Sequence, residues 1–196
     1  MSIIQVINAG VEFAGNYVLK GINCTLEHNS RIGLIGANGS GKTTLIKLML
    51  GIIPPSEGKV LHAKKCRIAY LPQNPVLNKD ILMSDYIQNS RPDLLYLRKK
   101  VNELSSLLQS KHTEAIENEL NIVLDKFQAS GGDEFANSMK YVITSLGFSE
   151  NDYEKTLCSF SGGEQTRLCL ASILLMPYDL LILDEPTNHL DIAMIS

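Results

Sequence analysis

Residues 36–43 read GANGSGKT, a G-x-x-x-x-G-K-[ST] spacing that sets what this part of the chain can do chemically. Successive backbone N–H groups converge on a phosphate only where no side chain obstructs them, which accounts for Gly36, Gly39 and Gly41. Asn38 and Ser40 share the same loop, and a helix starting near Gly41 adds roughly half a positive charge at its first turn. Lys42 is placed to reach the β- and γ-phosphates, Thr43 to offer its hydroxyl to Mg2+, and Thr44 to hydrogen-bond the α-phosphate. In front of the loop, RIGLI at residues 31–35 predicts a buried strand. Behind it, residues 42–50 carry helical periodicity and stop at Gly51, with Pro54 and Pro55 following.

Outward from this strand, loop and helix, residues 3–7 and 18–26 alternate as half-buried strands do, with turns supplied by Gly10, Gly15 and Asn16. Residues 67–71 predict another strand, closed by Pro72. From about residue 93 to 146 the pattern changes. Leu94, Leu97, Val101, Leu104 and Leu108 recur at helical spacing; a second set runs from Ile116 to Phe127, and a third from Phe135 to Leu146. Gly131 and Gly132 separate the second helix from the third. The run Arg98, Lys99, Lys100 reads first as a solvated helix face and second as a binding patch. A helix is expected over Gly162–Leu175, ended by Pro177, and then a fully buried strand at Leu180–Leu183. These elements predict an α/β fold with a mostly parallel core sheet, antiparallel strands at the N-terminus and an inserted helical lobe. Within one domain, residues 1–90 and 156–196 would form the core and residues 91–155 the lobe, with room for an extra arm.

Composition narrows the function. A net charge of −3, a pI near 5.8 and 44% hydrophobic residues describe a globular chain with no global attraction for nucleic acid or an anionic membrane. Cys24, Cys66, Cys158 and Cys169 are scattered without metal-ligand spacing. No stretch approaches eighteen consecutive apolar residues, and the first ten lack the basic and apolar pattern of an export signal. The expectation is a cytoplasmic protein without membrane insertion.

Two further motifs carry chemistry. LLILDE at residues 180–185 sets two carboxylates at the C-terminal edge of a strand, where α/β sheets bind ligands. There Asp184 would hold Mg2+ through its water shell, and Glu185 would orient or deprotonate an attacking water. SGGEQ at residues 161–165 fits S-x-x-E, so Ser161 and Glu164 could simply cap the helix. A cap does not explain Gly162 and Gly163, each unfavourable by about 1 kcal/mol in a helix interior and useful where something approaches the backbone. A helix end stripped of side chains is an anion site, and a second donor set points to a second phosphate.

The ordered set GANGSGKTT, AYLPQ, SGGEQ, LLILDEP and HLD resembles the ATP-binding cassette ATPases over essentially the whole chain. That resemblance implies a phosphate-loop NTPase fold, ATP and Mg2+ as cofactors, and a head-to-tail pair of cassettes. In such a pair Ser161, Gly162 and Gly163 of one would close over the γ-phosphate held by the other. It also implies that Phe13 stacks on the adenine, with Tyr17 as the rival and core packing as the other reading of Phe13. Gln73 would touch Mg2+ and the attacking water unless it is a plain loop residue. Asp191 would cross the cassette interface unless it is an ordinary helix-start acid.

GGEQTR and PTNHLD are similar to the F subfamily, soluble proteins with two cassettes that act on the ribosome in translation or antibiotic resistance. On that reading the ribosome is a partner, and the basic run at Arg98 is a candidate to meet RNA phosphates. A transporter's nucleotide-binding subunit and a noncatalytic ATP-sensing module are the alternatives. The chain stops five residues after Asp191, before the strand and switch histidine of the family, and Phe160 stands where leucine is usual. A first cassette lacking the C-terminal part of its fold, able to bind ATP but poor at hydrolysis alone, is therefore expected.

Overall fold

The computed structural model describes residues 2–78 and 80–185. Its contacts divide them into two compact units, residues 2–73 with 177–185, and residues 74–176.

In the first unit, β1 (Ser2–Phe13) and β2 (Asn16–Glu27) form a hairpin, and β3 (Glu57–His62) pairs with the other edge of β1, giving an antiparallel sheet ordered β2-β1-β3. The hairpin turns on Ala14 and Gly15, both with positive φ, which is the two-residue geometry whose twist matches the flanking strands. Helix α1 (Lys42–Met49) follows the glycine loop. Strands β4 (Ile68–Leu71) and β5 (Leu180–Leu183) pair in parallel, with Tyr70 opposite Ile182 and Leu71 opposite Leu183. A core of Ile4, Val6, Val11, Ile46, Leu48 and Ile182 joins the sheets to α1.

Two expectations need correction here. Residues 31–35 form no strand; Ile32 is 61% and Ile35 95% exposed. An apolar run becomes a strand only where a neighbour accepts its backbone hydrogen bonds, and among the described residues none lies in register beside it. Strand β5 is not fully buried, since only Ile182 is enclosed while Leu183 faces outward at its end. The parallel core and the antiparallel N-terminal strands are as expected: among the described residues β4 and β5 form a two-stranded parallel sheet, separate from β2-β1-β3.

The second unit is helical: α2 (Met83–Gln88), α3 (Pro92–Ser110), α4 (Glu114–Ala129), α5 (Gly132–Ser145) and α6 (Gly162–Leu175), with single turns at Glu150–Asp152 and Leu157–Ser159. The three amphipathic helices predicted between residues 93 and 146 are α3, α4 and α5. Pro92 opens α3 where a missing N–H costs nothing, and Gly131 supplies the left-handed residue before α5. The interior gathers Met83 and Ile87 of α2, Phe135 and Ile143 of α5, and Leu168 and Ala171 of α6. Phe148 and Phe160 meet edge to face at 5.7 Å, so phenylalanine at 160 packs well.

Contacts therefore divide the chain after Gln73 and Met176, whereas the sequence placed the lobe at residues 91–155. The reason is α6, whose apolar residues complete the helical core, so that it and α2 go with the helices.

Candidate functional site

A cleft of about 380 Å3 opens in the first unit, lined by Asn38, Gly39, Lys42 and Thr43 of the glycine loop and α1, by Gln73 and Glu185 from the ends of β4 and β5, and by Val18. Its floor is backbone. Gly39 and Gly41 hold φ of 79° and 93°, and a Cβ on Gly41 would come within 3.1 Å of Leu19 and 3.3 Å of Val18. A Cβ on Gly36 would press on the Ser40 hydroxyl at 2.7 Å. Helix α1 begins on Gly41 with no side-chain cap and no acid in its first turn, so its leading N–H groups and dipole are left for an anion. The Lys42 ammonium is held against the loop, donating to the carbonyls of Gly36 at 2.9 Å and Ala37 at 3.1 Å. Thr43 and Thr44 follow in the first turn of α1 and both line the cleft.

The acidic pair is built by strand geometry. Asp184 N–H donates to Leu71 O at 3.0 Å, extending the ladder one residue past β5, and Asp184 is 4% exposed. Glu185 then adopts φ 51°, a left-handed conformation costing about 1–2 kcal/mol for a side chain with a Cβ. That turn sends the two carboxylates to different partners. Gln73 Nε2 donates to Glu185 Oε2 at 2.7 Å, and Tyr70 hydroxyl donates to Asp184 Oδ2 at 3.4 Å. The donor set suits a triphosphate with a hard cation: loop amides and Lys42 for the phosphates, Thr43, Gln73 and Asp184 as oxygen ligands, directly or through water. Bound there, Mg2+ would neutralise charge on the phosphate oxygens.

At the hairpin tip, Phe13 and Tyr17 are each about half exposed, and neither lines the cleft. Lys20 Nζ lies 5.2 Å from the Tyr17 ring, and the nearby carboxylates Glu57 and Glu12 push the Tyr17 phenol upward in pKa. Val18, one residue on from Tyr17, is a lining residue the sequence did not single out.

In the helical unit, the capping box is formed. Glu164 N–H donates to Ser161 Oγ at 3.4 Å, while Glu164 Oε2 accepts from Ser161 N–H and Oγ, both at 2.7 Å. Those two donors hold the Glu164 carboxyl below its usual range. Gln165 Nε2 ties the helix start to Leu157 O and Phe160 O. Gly162 has ordinary helical backbone, and a Cβ on it would meet nothing within 4 Å among the described residues. Two members of the basic run are engaged between α3 and α4: Lys100 pairs with Glu119 at 2.9 Å, and Arg98 lies over the Phe127 ring. Asp191 lies outside the described residues. No helix among the described residues is long and apolar enough to cross a membrane.

Residues 19–188 match the family model described as ABC transporter. The chain is 34% identical over 199 residues to the uncharacterized ABC transporter ATP-binding protein YfmM of Bacillus subtilis, covering 97% of this chain and 38% of that protein. It is 28% identical over 198 residues to ABC transporter F family member 5 of Arabidopsis thaliana, covering 98% and 29%. It is 30% identical over 177 residues to the energy-dependent translational throttle protein EttA of Escherichia coli, covering 89% and 32%. The chain thus spans roughly a third of the length of these relatives. A solved ATP-binding subunit of an ABC transporter superposes with a TM-score of 0.70 at 19% identity, covering 99% of this chain and 70% of that one. The chain belongs to the ATP-binding cassette ATPases, with F-family members among its relatives.

Proposed function

We propose that this chain is one ATP-hydrolysing cassette of an F-type protein that works with a second cassette, in the cytoplasm, on the translation machinery. The observation that carries the catalytic part is the Gln73–Glu185 hydrogen bond, which brings a candidate base and a candidate metal ligand to one cleft beside Lys42 and Thr43. In the proposed reaction Lys42 and the loop amides hold the β- and γ-phosphates, and Thr43, Gln73 and Asp184 would hold Mg2+, which would neutralise charge there. The water oxygen would bond the γ-phosphorus as the β–γ bridging P–O bond breaks, Glu185 would receive the water's proton, and ADP and phosphate would leave. This arrangement argues against a noncatalytic sensing module, which has no use for a positioned base.

The second cassette is supported by Gly162. Neither its backbone conformation nor any neighbour among the described residues requires glycine there, so the missing side chain is best explained by an external group that must come close. Ser161, Gly162 and Gly163 would face the γ-phosphate of that partner's nucleotide, and Asp191 would lie across the same interface. Phe13 or Tyr17 would meet the adenine from the hairpin tip. The translation role rests on the relatives: one is a translational throttle protein. The Arg98 run adds little to it, since Arg98 and Lys100 already serve the α3–α4 pair.

Replacing Glu185 by Gln in the full-length protein tests the catalytic assignment. Turnover should fall by about 10²- to 10⁴-fold with nucleotide affinity unchanged, because shape is kept and the proton acceptor is lost. Equal loss of binding in an equilibrium titration would reject it. Cosedimentation with ribosomes in the presence of a nonhydrolysable ATP analogue tests the partner; association with membrane permease subunits instead would favour a transporter.

A further inference from the structure

We propose that Tyr70 is a positioning residue for the metal site: its hydroxyl fixes the orientation of the Asp184 carboxylate, so that one oxygen stays turned to the cation shell. The proposal rests on the reading of Asp184 as a metal-holding residue. Asp184 is tied to β4 twice, by its N–H to Leu71 O at 3.0 Å and by its Oδ2 to the Tyr70 hydroxyl at 3.4 Å. The first tie fixes the backbone only. The side-chain torsion that swings an aspartate carboxylate is broad and roughly two-fold, so a buried Asp184 needs a second contact to select one orientation.

Tyr70 is suited to that task by its place in the sheet. It lies opposite Ile182 in the parallel register, two residues before Asp184, and its ring packs against the core shared by Ile46 and Ile182. A phenylalanine would serve that packing equally. The hydroxyl sits 3.4 Å from a carboxylate oxygen and is placed to donate to it. A donor bonded to one carboxylate oxygen leaves the lone pairs of the other for the cation or its water. Strand β4 and the two residues after it thereby address both acids, Tyr70 taking Asp184 and Gln73 taking Glu185.

The test is Tyr70→Phe in the full-length protein, read by electron paramagnetic resonance titration of Mn2+ in the presence of a nonhydrolysable ATP analogue. Partners that orient metal ligands typically contribute 10- to 100-fold in metal affinity. The apparent Mn2+ affinity should therefore fall by about tenfold or more, while affinity for the analogue in EDTA stays within twofold. In an Asp184→Asn background the same change should have no further effect, since no carboxylate remains to orient. Unchanged Mn2+ affinity in Tyr70→Phe, with a clear loss in Asp184→Asn, would overturn the role of Tyr70. So would an equal loss in both backgrounds. Intact Mn2+ binding in Asp184→Asn would instead sink the underlying metal assignment.

Discussion

Two helices in this chain start on glycine-rich sequence, and they start differently. Helix α1 opens on Gly41, in a left-handed conformation with no side-chain cap and no acid in its first turn. Helix α6 opens on Ser161 with a closed capping box and Glu164 in its first turn. The glycines differ too. Those of the α1 loop are required by the loop itself, through positive φ at Gly39 and Gly41 and crowding at Gly36 and Gly41, whereas nothing among the described residues requires glycine at 162. The α1 end keeps its leading donors without a side-chain cap, as an anion site needs; the α6 end is closed by its own cap. Similar composition thus hides opposite physical design: backbone strain makes a site in α1, and side-chain capping preserves a smooth surface in α6.

The sharpest way to break this contrast is at Lys42. Lys42→Ala should weaken nucleotide binding about 10- to 100-fold, the worth of a hydrogen bond to a charged group, in a fluorescence titration of an ATP analogue. A comparable loss from Ser161→Ala in a preparation holding this cassette alone would erase the distinction. Ser161→Ala is instead expected to lower stability by about 1 kcal/mol in urea unfolding, by opening the cap, and to leave binding there unchanged. Gly162→Ala should go the other way, raising stability by about 0.4–1 kcal/mol because the helical backbone accepts alanine and there is open space for its methyl. In a preparation that pairs this cassette with the proposed second one, the same substitution should slow ATP turnover in a phosphate-release assay.

The smallest effect concerns acid. Asp179 is bonded by the Arg67 guanidinium and backbone and held at about 2, below its ordinary 3.8. Its contribution is thus present above pH 3.8 and lost as pH falls through about 2. Asp152, bonded by Lys155 and Ser149, is likewise held at about 2 in the helical unit. Asp179→Asn should flatten the acid limb of stability for the first unit alone, and Asp152→Asn that of the second, in thermal scans stepped from pH 5 to 2.

The helical unit was the more legible of the two. Helices α3 to α6 follow from 3.6-residue periodicity and from Gly131, Gly132 and Pro177, all local signals. Helix α2 is six residues, too short for a period to register, and β3 carries no clean alternation. Residues 31–35 have the composition of a strand, yet a ladder is a property of two segments, and composition describes one. In the cleft, Lys42, Thr43, Asp184 and Glu185 stand out by spacing, while Val18 and Tyr70 do not, since neither belongs to a motif of its own.

Sequence alone determined which residue types could meet a triphosphate, where most helices begin and end, and that both glycine-rich turns precede a helix, because each depends on neighbours a few positions away. Only the tertiary structure decided that Gln73 meets Glu185 across 112 residues, that Tyr70 reaches Asp184, and that a Cβ on Gly162 would have open space among the described residues. The physical reason is register: two short apolar runs pair in any of several alignments, and the one that packs Tyr70 opposite Ile182 is chosen by the whole core.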